Sequence, residues 1–272
     1  MKGERRQMLH AAERTGERIA WAERLRLFLD YDGTLADFAP TPEHVDPDPE
    51  LIALIARLVE HRAIRPTVIS GRRLEHVERL LPVAGVLLAG TYGVELRLPD
   101  GERIDRLSYK EVRPVLGEIK PRWGQLIDGR DGFFLEDKGW SLAIHARDVS
   151  GDEAGEVLNQ ARRMAAVSVG EAGAPDLFWV VGGHKFLEVG PTLAHKGKTV
   201  DYLLDRYPWP DALLLYVGDD DKDEEAFGVI HAHGGIAIKV CEEPCETDAD
   251  GRLASPEETR RWVGTLPTRL ER

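Results

Sequence analysis

Cysteine is nearly absent from this 272-residue chain: only Cys241 and Cys245 occur, four positions apart in an acidic stretch that contains Pro244. Two thiols with no histidine or cysteine partner at ligand spacing exclude a structural zinc site, and the pair reads as incidental. No apolar run approaches the about 18 residues needed to cross a bilayer, so no transmembrane helix is expected. The first 26 residues are charged throughout and contain no apolar core segment, so no secretory leader is expected either. Basic charge is also short, with 36 Lys and Arg against 48 Asp and Glu and a net charge of −12. A field of that sign works against nucleic acid and against an anionic membrane surface as partners. It works equally against an anionic substrate, unless a metal, a lysine and backbone amides supply local positive charge. Lysine is scarce, nine against 27 arginines. The remaining composition, 42% apolar and 31% charged, suits a globular chain with a sizeable core, either one large domain or a core carrying a smaller insert. A reducing cytoplasm is the expected compartment. Oligomeric state is not legible, with a monomer favoured.

Short apolar runs alternate with longer helical patterns. Leu27–Leu29, Thr67–Ile69, Val86–Ala89, Leu213–Val217 and Ile236–Val240 read as strands buried on both faces. Pro49–His61, Leu74–Leu81 and Lys198–Arg206 carry helical spacing. Alternation of this kind implies right-handed crossovers and a parallel sheet, an α/β Rossmann-like core. The middle differs. Leu96–Ile104 reads as a hairpin about Asp100-Gly101. Phe133–Lys138 and Ser141–Arg147 alternate with period two across Gly139-Trp140, a helix is expected near Glu153–Ala166, and Phe178–Val181 and Lys185–Val189 flank Gly182-Gly183. That pattern predicts a smaller α+β cap domain over 109–191, inserted into a core formed by 1–108 and 192–272.

The chemistry gathers at strand ends. The first apolar run ends in Asp30-Tyr31-Asp32-Gly33-Thr34, the second in Ser70-Gly71-Arg72, the fourth in Gly218-Asp219-Asp220. In open α/β sheets ligands bind outside the carboxyl ends of the strands. Carboxylates two apart on an extended segment point the same way, and two of them about 4 Å apart at an effective dielectric of about 20 repel by about 4 kcal/mol. Such a pair needs a proton or a cation. Calcium of the EF-hand kind is excluded, because the positions that would be its glycine and its bidentate acid are Leu35 and Thr41. Ser70 suits a helix N-cap as well as a phosphate site. Lys196-Gly197 precedes a helix and offers a point charge. In the run Asp219–Glu224, Asp221 and Glu224 are read as acids serving the helix dipole, while the start of the run, flush with a strand end, suits a cation shared with Asp30 and Asp32.

These four segments, in order, resemble the motifs of the haloacid dehalogenase-like phosphatases. Within that superfamily the chain is similar to the trehalose-6-phosphate phosphatases, through Val68–Arg72, Gly93-Val94-Glu95, Glu136-Asp137-Lys138, His145-Ala146-Arg147, Glu188–Pro191 and Gly218-Asp219-Asp220 with Asp223-Glu224. The likeness runs from about Leu27 to Val240. Three positions depart from the family pattern. Tyr92 stands where His is usual, Lys222 replaces a Thr in the acidic loop, and His195 precedes Lys196.

The resemblance implies a magnesium-dependent phosphatase acting on a sugar phosphate. Asp30 would be the nucleophile and Asp32 the acid and base, with Ser70 and Lys196 neutralising the phosphoryl oxygens. Magnesium would be held by Asp30, the backbone carbonyl of Asp32 and Asp219, with Asp223 in support. Gly33, Thr34, Gly71 and Arg72 would line the phosphate site. Glu136, Lys138 and Glu188 would bind disaccharide hydroxyls from a cap that closes as a lid. A solvated sheet face is the bland alternative for those cap residues. A phosphatase of sucrose-phosphate or mannosylglycerate-phosphate type and a non-catalytic regulatory module remain the competing functions.

Overall fold

The computed structural model describes residues 16–38, 45–146, 149–183 and 185–270; the charged segment 1–15 and Arg147 of the His145-Ala146-Arg147 motif lie outside them. The chain divides into two compact units, one built from residues up to Ile104 and from His195 onward, the other from Asp105–Ala194.

The larger unit is a sheet of eight strands with helices on both faces. Its strands are β1 (Leu25–Asp30), β2 (Ile64–Ile69), β3 (Leu87–Gly90), β4 (Glu95–Arg97) and β5 (Arg103–Asp105), then β10 (Leu213–Gly218), β11 (Ile236–Val240) and β12 (Gly251–Leu253). They lie in the order β12-β11-β10-β1-β2-β3-β4-β5. Pairing is parallel from β12 through β3 and turns antiparallel at β3–β4. Every residue of β1 is buried, and successive side chains serve opposite layers. Leu25, Leu27 and Leu29 pack with α1 (Pro49–Glu60) and α2 (Leu74–Leu80), whereas Phe28 packs with α5 (Lys196–Arg206) and α6 (Asp221–Ala232). Two-sided burial is what a parallel sheet requires, and it explains the unbroken apolar runs. Arg26 is the exception in that strand. Its buried guanidinium donates to the Leu203 and Tyr207 carbonyls at the end of α5, so its buried donors are paired.

Strand β2 begins before Pro66, earlier than the sequence pattern suggests. A proline cannot donate to a ladder, but pairing with β3 covers only Thr67–Ile69, so Pro66 has a neighbour on one side alone. Strand register then aligns the polar ends. Asp30 pairs with Ile69, immediately before Ser70, and Leu29 pairs with Val217, immediately before Gly218. The carboxyl ends of β1, β2 and β10 therefore finish level.

The smaller unit is an antiparallel sheet of four strands with two long helices. It comprises α3 (Tyr109–Ile127), β6 (Phe134–Asp137), β7 (Leu142–His145), α4 (Gly151–Glu171), β8 (Phe178–Gly183) and β9 (Phe186–Pro191). Strand order is β6-β7-β9-β8. The first helix is absent from the sequence-based expectation, and Pro114 and Pro121 inside it are the reason. Its buried Val112, Val115, Leu116, Ile119 and Trp123 keep helical spacing, and the packing offsets the lost hydrogen bonds. The Trp123 indole donates to the Ala161 carbonyl of α4 at 3.0 Å.

Two helices close the chain, α7 (Pro256–Val263) and α8 (Leu266–Leu270). Cys241 and Cys245 are joined in a disulfide, which corrects their reading as incidental thiols. Among the described residues no helix is long and apolar enough to cross a membrane.

Candidate active site

Asp30 closes β1 as a buried carboxylate whose Oδ1 lies 3.1 Å from the Lys196 ammonium. Lys196, the first residue of α5, is 1% exposed and also reaches Asp223 Oδ1 at 2.7 Å and Asp220 Oδ1 at 3.3 Å. Carboxylate oxygens of Asp30, Asp219 and Asp223 come within 4.8 Å of one another. Strand β10 and the start of α6 deliver the second half of this cluster. Asp220 caps α6 and Asp223 returns the bond to the Asp220 N–H, a reciprocal capping box. Asp223 is the hub of the loop. Its Oδ2 accepts from the Asp219 and Asp220 N–H groups, and its Oδ1 from Lys196 and the Tyr216 hydroxyl.

Asp32 has a counter-charge of its own, which its spacing from Asp30 did not announce. Its carboxylate takes a two-pronged salt bridge from Arg72, at 2.8 Å to Nε and 2.6 Å to Nη2. The acid that presses on Asp30 is Asp219, brought in from β10. Thr34 holds Asp219 by donating its hydroxyl to Oδ1 at 3.0 Å. Gly33 permits the approach: it sits at φ +77°, and a Cβ there would lie 2.2 Å from Asp219 Oδ2.

Ser70 is fully buried, and its Oγ accepts the Arg72 N–H at 3.1 Å. It does not cap the following helix. Helix α2 starts at Leu74 with Arg73 in the cap position and no side-chain cap; the Leu74 N–H is taken by Glu95 Oε2 instead. Glu224 stands in the first turn of α6, as its reading as a dipole acid requires, and has further partners. It is held by Lys239, Thr247 and the Asp248 N–H, which ties the acidic loop to the strand beside it.

Four carboxylates, Asp30, Asp219, Asp220 and Asp223, thus face one ammonium. Burial raises Asp30 well above the usual carboxylate range, with Lys196 opposing and Asp219 and Asp220 adding to the rise. Burial pushes Asp219 up to about 6 and Asp223 up to about 8. Burial raises Asp220 too, but the Lys196 charge and hydrogen bonds from Lys196 and Asp223 together outweigh it and the net shift is downward. Lys196 is raised well above its ordinary value, because Asp30 and Asp223 overcome its desolvation. The cluster holds more negative charge than one lysine balances.

An all-oxygen donor set of this kind fits a hard divalent cation such as magnesium, whose ligands lie about 2 Å away. The sign of the linkage is testable. In metal-free protein Asp219 and Asp223 titrate above their ordinary 3.8, so the folded state binds more protons and stability falls as pH rises from about 4 to 8. A divalent cation held by these carboxylates in the native state would relieve that charge. Melting curves are expected to show a lower metal-free midpoint at pH 8 than at pH 5, and a larger increment on adding magnesium at pH 8. A larger increment at pH 5 contradicts the arrangement.

The smaller unit has its own polar cluster. Glu136 and Lys138 on the β6 side, His145 on β7 and Glu188 on β9 meet on one face of the sheet. Lys138 Nζ lies 3.2 Å from Glu188 Oε1 and 3.8 Å from Glu136 Oε2. The Ser141 hydroxyl donates to Glu188 Oε1 at 2.8 Å, and His145 Nε2 lies 2.9 Å from Glu136 Oε2. Glu188 is buried, which a merely solvated face does not require. Burial raises Glu136, but His145 and Lys138 outweigh it and leave it lowered.

The profile of the trehalose-phosphatase family matches residues 28–257. This chain belongs to the trehalose-phosphatase family. A probable trehalose-phosphate phosphatase 2 of Oryza sativa subsp. japonica is 30% identical over 274 residues, covering 91% of this chain and 69% of that protein. A trehalose-phosphate phosphatase of Mycobacterium marinum is 29% identical, covering 90% of this chain but 62% of its own length. The chain thus spans under two thirds of that relative. The solved C-terminal domain of Candida albicans trehalose-6-phosphate phosphatase has the same fold, with a TM-score of 0.74 at 19% identity over 93% of this chain and 95% of that one.

The three residues singled out above, His195, Lys222 and Tyr92, all have partners. His195 caps α5 by accepting the Lys198 N–H, and its Nδ1 lies 3.0 Å from Glu225. Lys222 sits over the Tyr92 ring. Sequence reasoning missed Tyr216 and Lys239. The signal for Tyr216 was present: a tyrosine inside a buried strand two residues before the acidic loop needs an acceptor for its hydroxyl, and Asp223 supplies it.

Proposed function

We propose that this protein is a magnesium-dependent phosphatase that hydrolyses trehalose 6-phosphate to trehalose and phosphate. The observation that carries the proposal is the convergence of Asp30, Asp219, Asp223 and Lys196 at one sheet edge of a chain in this family. Asp30 supplies the nucleophile: a carboxylate oxygen attacks phosphorus, the phosphorus–sugar oxygen bond breaks, and an aspartyl-phosphate forms. Asp32 gives its proton to the departing sugar oxygen and then takes one from the water that attacks phosphorus, which restores Asp30. Arg72 holds both Asp32 carboxylate oxygens, and in this reading it releases one of them for the proton transfer. Lys196 and the Ser70 hydroxyl serve the phosphoryl oxygens, where negative charge must be stabilised as the bond breaks. Asp30, the Asp32 carbonyl and Asp219 would hold the magnesium ion, and Asp223, its acceptor sites already filled by four donors, fixes the loop. The ion supplies positive charge against the phosphoryl group.

Residues 109–191 are the cap of this reading, with Glu136, Lys138 and Glu188 recognising sugar hydroxyls. A hydrogen bond to a charged group contributes about 1.5–3 kcal/mol. Glu136→Gln or Lys138→Met is therefore expected to lower kcat/KM for trehalose 6-phosphate by about ten- to a hundredfold, while p-nitrophenyl phosphate, which has no sugar, changes by less than about threefold. Equal losses on both substrates count against recognition by the cap. The decisive assay is phosphate release from a panel of sugar phosphates with and without magnesium. Trehalose 6-phosphate is expected to lead, and chelation to abolish turnover. Preference for sucrose or mannosylglycerate phosphates moves the substrate assignment, and no turnover of any member removes the enzymatic reading.

A further inference from the structure

Lys222 occupies a position that electrostatics disfavours twice. It is the second residue of α6, at the positive end of the helix dipole, and in sequence it lies between Asp219 and Asp223, two acids of the cluster that could hold a cation. A flexible ammonium there can reach the same carboxylates and compete with a metal ion for them. Its Nζ instead lies 3.9 Å above the centroid of the Tyr92 ring, within the range of a strong cation–π contact.

Tyr92 is built to receive it. Thr91 and Tyr92 both lie in the left-handed region, at φ 50° and φ 54°, a conformation non-glycine residues hold only when their surroundings impose it. Here the surroundings are the phosphate loop itself. The Tyr92 N–H donates to the Ser70 carbonyl at 2.8 Å and the Thr91 N–H to the Arg72 carbonyl at 2.7 Å. The Thr199 hydroxyl of α5 donates to the Tyr92 carbonyl at 2.7 Å, and the Thr91 hydroxyl to Glu95 Oε2 at 2.9 Å. The ring then lies so close over Gly71 that a Cβ there would stand 2.6 Å from the phenol oxygen and 2.7 Å from Cζ. One aromatic ring therefore touches the loop carrying Ser70 and Arg72 on one side and the loop carrying Asp219 and Asp223 on the other.

We propose that Tyr92 and Lys222 form a coupled positioning pair, in which the ring seats the Lys222 ammonium away from the cation-binding acids and couples the phosphate loop to the metal loop. The inference rests on the reading that a divalent cation sits among Asp30, Asp219 and Asp223.

The test is a double-mutant cycle read by calorimetric titration with magnesium, on the parent, Tyr92→Leu, Lys222→Thr and the double variant. Loss of the seat is expected to weaken magnesium binding about three- to tenfold in Tyr92→Leu. Lys222→Thr is expected not to weaken it, and adding Lys222→Thr to Tyr92→Leu restores binding to within about twofold of the parent, a coupling that independent sites do not show. A Tyr92→Leu protein that binds magnesium like the parent, or a double variant as weak as Tyr92→Leu alone, overturns the proposal. A parent that takes up no magnesium removes the cation site and this inference together, so the two failures are distinguishable. A second readout leaves the ring in place. The Lys222 ε-methylene resonance, identified by its disappearance in Lys222→Thr, is expected upfield from ring current in the parent and in Tyr92→Phe, with magnesium absent or saturating. An unshifted resonance refutes the seat even if Tyr92→Leu does not fold.

Discussion

Asp30→Asn is expected to lower phosphate release from trehalose 6-phosphate by at least about a thousandfold while leaving the protein folded. The substitution keeps shape and volume and replaces an oxygen nucleophile by an amide. Its effect on stability separates this site from an ordinary buried acid. Asp30 is one of four carboxylates facing Lys196, so neutralising it lowers repulsion in the metal-free protein and leaves the lysine two partners. The metal-free melting temperature is expected to be unchanged or higher than the parent's at pH 8, and the increment produced by magnesium to shrink. Turnover near that of the parent removes Asp30 as the nucleophile. A folded, inactive variant whose magnesium increment is intact leaves the nucleophile in place but removes Asp30 from the cation site.

Lys196→Met is expected to be the most destabilising single change in the core. The ammonium is 1% exposed and lies within 3.3 Å of three carboxylates. Removing one partner from a buried ion cluster costs about 3–5 kcal/mol, because the remaining charges have no water to turn to. For a chain of this size about 1 kcal/mol moves the melting temperature by about 2–4 °C, so a fall of about 6–20 °C is expected. The loss is larger at pH 8 than at pH 5, since protonation of the raised carboxylates Asp219 and Asp223 substitutes for the missing cation. Saturating magnesium recovers part of the stability, but activity stays down by about a hundredfold or more, for want of the charge on the phosphoryl oxygens. A melting temperature within 2 °C of the parent's at pH 8 contradicts the charge arrangement.

The parts of the fold that follow from period and strand-end chemistry were legible in advance. Buried strands such as Leu213–Val217 announce themselves by unbroken apolar runs, and Asp30, Ser70 and Asp219 stand where such runs stop. What stayed illegible depends on register between distant segments. The spacing of Asp30 and Asp32 suggested one repelling pair, yet the fold gives each its own cation, Lys196 and Arg72, and sets Asp219 against Asp30. Those partners lie 40 to 189 positions away, beyond the reach of local periodicity. Helix α3 was hidden by Pro114 and Pro121, whose local penalty is overridden by the burial of Leu116, Ile119 and Trp123. Ser70 matched the composition of a helix cap, but Arg73 holds that position, and only the three-dimensional path of the Thr91-Tyr92 kink shows why the loop needs it elsewhere.

The placement of β1 has a consequence for how the protein is made. Its flank against β2 is satisfied within a few dozen residues, but its flank against β10 waits until Leu213–Val217 emerges. With synthesis at about 5–20 residues per second, the 188 positions between Leu29 and Val217 leave a largely apolar strand edge open on the ribosome for about ten to forty seconds. Throughout that interval the nascent chain presents the kind of edge on which foreign strands add, so the flank of β1 that awaits β10 is the exposed point of its synthesis.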